Sequence, residues 1–328
     1  MIHENIEFHN VVMEPSPTGG MMLPRYPSAV RNAFSERGRF VAMESTGGEM
    51  RFVTDAKNVR VYLSSVDNDA DVHVYRGDFF LATHTLSKGQ VSVIHLEPPA
   101  RFNEVADAMV SRGGFSPSVW RIRFNRACTV FHGLDAFGHD VRPPKKDEKP
   151  AKTLLCYGSS ITHSNANGYP AHAARILGMD VYNKGLSGAC QCEKEAADYI
   201  ASLPFDAATL ELGVNMRGGY TTEEFKRRAE YVVEKVMAAG KPVFLITIFP
   251  NFSDFARESN IETVRDREYC DVLRDLTASK RSDRLFLIEG SDVLSDITGL
   301  TCDLIHPSDY GHAHMGANLA RLMREKIA

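Results

Sequence analysis

The sequence predicts two domains of different class, an all-β sandwich of jelly-roll type followed by an α/β domain built on a doubly wound parallel sheet. Three observations carry this. The first 142 residues break into short alternating or β-branched runs separated by turn signals such as Thr46-Gly47-Gly48, Asp67-Asn68-Asp69 and Arg76-Gly77-Asp78. A stretch rich in proline and charge, Arg142-Pro143-Pro144-Lys145-Lys146-Asp147, then interrupts all periodicity. Beyond it, apolar runs alternate with segments of helical period. The expected boundaries are a sandwich over 1–142, a linker over 143–152 and an α/β domain over 153–328.

In the first domain the expected strands are 39–43, 50–53, 59–63, 72–75, 79–83, 91–96, 119–124 and 129–131. Arg60, Arg121 and Arg123 fall on the polar side of this alternation, which predicts a solvated sheet face. In the second domain strands are expected near 154–157, 181–183, 208–212, 242–248 and 285–288. Helices are expected over 169–177, 193–202, 222–239, 261–279 and 309–327. The 222–239 segment has the clearest period, with Phe225, Ala229, Val232, Val233 and Val236 on one face. Thr221 or Thr222 can cap it.

Composition bounds the function. With 38 basic and 42 acidic residues the 328-residue chain has a net charge of −4, so no nucleic-acid-binding face is expected. No apolar run approaches the ~20 residues of a membrane span. The start, Met1-Ile2-His3-Glu4-Asn5, lacks the pattern of a secretory leader, which predicts a cytoplasmic location. Six cysteines are too sparse for a disulfide framework. Cys190 and Cys192 have no second pair nearby, so neither a metal nor another cofactor is expected.

In a doubly wound sheet ligands sit beyond the carboxyl ends of the strands. The residues there are Gly158-Ser159-Ser160, Asn183 to Gly188, Gly213-Val214-Asn215-Met216, Phe249-Pro250-Asn251 and, after a further loop, Asp303-Leu304-Ile305-His306. A serine at a strand-to-helix turn, with a distant aspartate three residues before a histidine, is the outline of an acyl-transfer site. Ser160 would be the nucleophile, His306 its base and Asp303 the group that orients the imidazole. The Ser160 backbone N–H, a glycine N–H such as that of Gly188, and the Asn215 amide could serve a developing oxyanion. Tyr169, Pro170, Met216, Arg217 and Phe249 are candidates for the pocket lining, with packing or loop roles as the plainer reading.

These blocks resemble the SGNH (GDSL-type) hydrolases, whose motifs carry Ser, Gly, Asn and His. The resemblance spans roughly 152–328. It implies a flavodoxin-like five-stranded sheet and the roles just given for Ser160, Gly188, Asn215, Asp303 and His306. Two positions depart from the family pattern: Ser159 and Met216 stand where an aspartate is usual. Tyr157-Gly158-Ser159-Ser160-Ile161-Thr162-His163, together with a preceding β-sandwich, resembles a narrower branch. That branch includes a polyketide-tailoring acyltransferase and is similar in architecture to family-2 carbohydrate esterases. The resemblance implies a serine esterase acting on a small O-acyl, especially O-acetyl, ester of a sugar or natural product. An acyltransferase is the alternative, and a carbohydrate-binding protein with a decayed hydrolase domain is a reading of another class. The complete Ser/Gly/Asn/Asp/His set argues against decay. The expected partner is a small-molecule acyl ester, acylated carbohydrates among the candidates, and the reading allows self-association.

Overall fold

The computed structural model describes residues 1–327. The N-terminal half begins with β1 (Ile2–His3), β2 (Ile6–His9), β3 (Glu14–Pro15) and β4 (Met21–Met22), then α1 (Ser28–Arg31) and α2 (Glu36–Met43). It continues with β5 (Glu49–Phe52), β6 (Val59–Ser65), β7 (Ala70–Arg76), β8 (Phe79–Leu86), β9 (Ser92–Leu96), α3 (Asp107–Val110), β10 (Trp120–Phe124) and β11 (Thr129–Asp135). The strands form two sheets, ordered β1-β2-β5-β10-β7-β8 and β3-β4-β11-β6-β9, with antiparallel pairing throughout. Phe8, Met50, Phe52, Trp120 and Ile122 from the first sheet share one core with Val59, Val61, Leu63, Ile94 and Leu96 from the second. This is an antiparallel β-sandwich.

Two expectations change here. Residues 39–43 are helical, not extended. Five apolar-rich residues fit either period, and the decision lies upstream: Ser35 caps the helix, its hydroxyl accepting from Gly38 N–H at 3.1 Å. The second correction concerns the arginines. Arg60 is exposed, but Arg121 is buried and Arg123 nearly so. Both bind Glu49, at 2.7 Å each, and Arg51 binds the same carboxylate at 2.7 Å. The Phe115 ring lies over the guanidinium groups of Arg121 and Arg51. This sheet face is therefore a paired ionic layer under cover, which alternation alone does not distinguish from a wet one.

The C-terminal half contains β12 (Thr153–Tyr157), α4 (Ser160–His163), α5 (Tyr169–Leu177), β13 (Asp180–Asn183), α6 (Lys194–Ser202), β14 (Ala207–Glu211) and α7 (Thr222–Met237). It ends with β15 (Val243–Ile246), α8 (Ile261–Lys280), β16 (Leu285–Ile288), α9 (Gly290–Val293) and α10 (Asp309–Met323). The sheet order is β13-β12-β14-β15-β16, with β12, β14, β15 and β16 paired in parallel. This is the flavodoxin-like order, whose switch point falls between β12 and β14. β12, β14 and β15 are apolar and buried almost without interruption, as strands covered on both faces must be. Thr221 caps α7, accepting from Glu224 N–H.

By contacts the chain divides into two compact units. One holds 1–28, 42–151 and 178–182, the other 29–41, 152–177 and 183–328. Among the described residues no helix is long and apolar enough to cross a membrane.

Candidate active site

Ser160 opens α4 at the end of β12, on the switch-point side of the sheet. The preceding residue, Ser159, caps this one-turn helix by accepting from Ile161 N–H at 3.1 Å. Gly158 is required by close approach: a Cβ there would lie 2.4 Å from Thr162 Oγ1 and 2.5 Å from Glu211 Oε2. The turn is thus held from below by a carboxyl group at the end of β14. Glu211 Oε2 accepts from Ser159 N–H at 2.6 Å and from the Thr162 hydroxyl at 3.1 Å. Burial pushes the Glu211 carboxyl up to about 7, although the hydrogen bonds from Ser159 and Thr162 pull the other way.

His306 and Asp303 come from the loop before α10. Ser308 caps that helix, and Thr301 N–H donates to His306 O at 2.8 Å, which fixes the loop. Asp303 Oδ1 accepts from the N–H groups of Ile305 and His306, both at 2.9 Å, and from the Thr301 hydroxyl at 2.8 Å. Its other oxygen lies 2.7 Å from His306 Nδ1. Partial burial opposes ionisation of Asp303, but these donors outweigh it and hold the carboxyl well below the usual range. With Nδ1–H committed to the carboxylate, Nε2 is left as acceptor, and Ser160 Oγ lies 2.8 Å from it. Three residues 146 positions apart at the extremes thus form one Ser–His–Asp chain. The His306 and Asp303 side chains are 44% and 49% exposed, so water reaches the pair.

The loop after β13 runs beside the serine turn. Lys184 N–H donates to Cys156 O at 2.7 Å and Leu186 N–H to Gly158 O at 2.8 Å. The Asn183 amide donates to the carbonyls of Thr162 and His163, closing the far end of α4. Gly188 has φ +70°, the left-handed region where glycine carries no steric penalty. Asn215 Oδ1 accepts from Cys190 N–H at 3.2 Å, which ties the amide to that loop. Arg37, from α2, donates to Ser187 O at 3.2 Å.

The pocket candidates are placed differently. Tyr169, Met216 and Phe249 are closed off from solvent, and Arg217 is buried against Asp266 at 2.6 Å. Tyr169 and Phe249 meet edge to face, and the Tyr169 hydroxyl lies 2.7 Å from Thr162 Oγ1. Pro170 is buried as well. Their position just after strand ends signalled the site, but their apolar bulk is spent on packing behind it. Sequence reasoning passed over Glu211 and Arg37. The signal for Glu211 was present, a single acid ending the otherwise uncharged strand Ala207-Ala208-Thr209-Leu210-Glu211. Nothing local marks Arg37. Cys190 and Cys192 are buried free thiols, and among the described residues no cluster of three His, Cys, Asp or Glu is placed to hold a metal.

Several solved structures share this architecture. A salicylyl-acyltransferase from a tetracycline biosynthetic pathway superposes with a TM-score of 0.79 at 16% identity, covering 98% of this chain and 95% of that one. A family-two carbohydrate esterase from Clostridium thermocellum, in complex with cellohexaose, gives 0.63 at 14% identity with 98% of each chain covered. An acetyl xylan esterase from the rumen bacterium Butyrivibrio proteoclasticus gives 0.57 at 11% identity, covering 99% of this chain and 97% of that one. No curated protein sequence matches the chain. The GDSL-like Lipase/Acylhydrolase family model matches residues 151–324, more than half of the chain, and the protein belongs to that family, carrying a β-sandwich ahead of its hydrolase fold.

Proposed function

We propose that the protein is a serine esterase that cleaves a small O-acyl ester, most simply an O-acetyl ester of a sugar or natural product. The observation that carries this is the continuous chain from Ser160 Oγ to His306 Nε2 at 2.8 Å and from His306 Nδ1 to Asp303 at 2.7 Å. His306 takes the Ser160 proton as Oγ attacks the ester carbonyl. Negative charge then develops on the carbonyl oxygen, where the Ser160 and Gly188 N–H groups and the Asn215 amide donate. Collapse breaks the bond to the alcohol, which leaves with the proton held by His306. Water repeats the sequence on the acyl-enzyme, giving up a proton to His306 and releasing the acid. Asp303 stays ionised throughout, holds the ring in the tautomer with Nδ1–H, and stabilises the imidazolium.

The substrate class rests on kinship of fold with enzymes named as an acyltransferase, a carbohydrate esterase and an acetyl xylan esterase. Transfer to an acceptor hydroxyl uses the same first half-reaction, and the choice depends on whether water is kept out. The half-exposed His306 and Asp303 favour water as the acceptor.

A fluorophosphonate probe, with the labelled residue mapped by mass, tests the nucleophile without knowledge of the substrate. It should label Ser160. Ser160→Ala should abolish labelling and lower kcat by ~10⁴-fold or more on any ester turned over. A folded Ser160→Ala variant that keeps its turnover would refute the proposal.

A further inference from the structure

The catalytic chain leaves one buried carboxyl beside the nucleophile turn unused. Glu211 is 1% exposed and its carboxyl lies against the backbone of the turn that carries the nucleophile. A carboxyl in such a place needs a reason, because burying it is costly unless its charge does something. No cation pairs with it among the described residues. Ser159, through its N–H and its hydroxyl, and the Thr162 hydroxyl interact with it, and Oε1 is buried without a partner.

We infer that Glu211 is a positioning residue for the nucleophile, and that its ionised form holds the Ser159–Ser160 turn in the geometry that lets Ser160 meet His306. This rests on the reading of Ser160 as nucleophile and adds a second, independent requirement to it. The geometry favours the ionised form. One oxygen receives two donors, from the residue just before Ser160 and from the residue two after it. The contact to Ser159 N–H, at 2.6 Å, is short for an amide donor, as charge-assisted bonds are. A single carboxylate oxygen therefore fixes both the peptide entering the turn and the first turn of α4. A proton arriving on the carboxyl weakens both bonds at once.

Each neighbour is accounted for. Tyr169 of α5 reaches the site through Thr162, and burial pushes its hydroxyl far up. Cys190, in the loop after Gly188, is likewise pushed up by burial. Both are uncharged at neutral pH. His163 on α4 is occupied at Nδ1 by Ser187 N–H. Burial raises the carboxyl of Glu211 to about 7, so it changes charge close to neutrality.

The consequence is kinetic. Full reactivity needs an ionised Glu211 in addition to the free acceptor nitrogen of His306. The acid limb of kcat/KM, and of the fluorophosphonate labelling rate, should therefore fall below about 7 with one proton more than the same limb without the Glu211 carboxyl. Glu211→Gln keeps the size and one acceptor but cannot accept two donors on an ionised group. It should label at Ser160 ~10²-fold more slowly, lower kcat with little change in KM, and show an acid limb one proton shallower than that of wild type.

The experiment measures labelling rate and ester turnover against pH for wild type and Glu211→Gln, with the labelled residue mapped in each. Slow labelling in the variant, with an acid limb one proton shallower than that of wild type, is the expected result. Wild-type rates and an unchanged limb in folded Glu211→Gln would overturn the inference. If that variant does not fold, wild type decides alone: a labelling rate that does not fall as pH drops through about 7 overturns it. Failure of the underlying reading is separately visible, because wild type would then label somewhere other than Ser160.

Discussion

Each of the two units holds an aspartate in contact with a histidine, and the pairs behave in opposite ways. In the first unit His9 Nε2 lies 3.3 Å from Asp180, with both side chains over nine-tenths buried. In the second, His306 Nδ1 lies 2.7 Å from Asp303, with both about half exposed. Asp180 is already committed: burial pushes its carboxyl up, but Arg51, gripping it through two bonds of 2.6 and 2.8 Å, outweighs burial and holds it well below the usual carboxylate range. His9 Nε2 also lies 2.8 Å from Val181 O. Burial, despite the pull of Asp180, lowers His9 to about 4, so the ring is neutral and does not change charge near pH 7. The His306 ring instead has one nitrogen held and the other on a serine hydroxyl. A carboxylate–imidazole contact is structural or chemical according to what the far nitrogen touches and whether solvent and substrate reach it.

Substitutions on the two sides should therefore fail differently. Asp303→Asn should fold normally and lose ~10⁴-fold in kcat, because the ring loses the acceptor that selects its tautomer. A near-normal rate would show that another group orients His306. Next in size is Asn215→Ala, expected to lower kcat by ~10²–10³-fold with KM nearly constant. If stability falls while turnover per folded molecule is preserved, the amide is a turn former and leaves the proposed oxyanion site. On the other side of the comparison, Asp180→Ala leaves Arg51 buried with one partner fewer. It should cost about 3–5 kcal/mol of stability by denaturant unfolding, with kcat per folded molecule changed least of all. The sign with pH follows from the depressed carboxyl: this stabilisation is complete above the unfolded aspartate value of ~3.9 and is lost as pH falls through the lower folded value.

The sequence marked the contact of Ser160, His306 and Asp303 better than what surrounds it. That contact was legible because a serine at a strand-to-helix turn and an Asp-x-x-His loop are local patterns, and the switch-point rule says that strand ends converge. Tyr169, Met216 and Phe249 stand at the same ends, yet their side chains turn inward, and side-chain direction is a tertiary property. Arg121 and Arg123 were misread for a related reason: alternation reports that two faces differ, not what lies against the second one. The helix over 36–43 was hidden because its deciding signal, the Ser35 cap, precedes the apolar run. Glu211 escaped because a buried acid in an apolar strand has meaning only once its partners are known.

The exchange of segments between the two units bears on synthesis. Residues 178–182 belong by contacts to the unit that otherwise ends at 151, and residues 29–41 belong to the one that otherwise begins at 152. A ribosome releases the chain in order, so the sandwich strands emerge long before Asp180 does. Until then Arg51 lacks its bidentate carboxylate. Residues 29–41, made early, wait for Ser187 before Arg37 has its acceptor. Neither unit reaches its final membership from its own stretch of chain, and a fragment cut at residue 150 would strand a piece of each. The natural unit of folding is therefore the continuous chain, with the last ties of the first unit made only as the second is being translated.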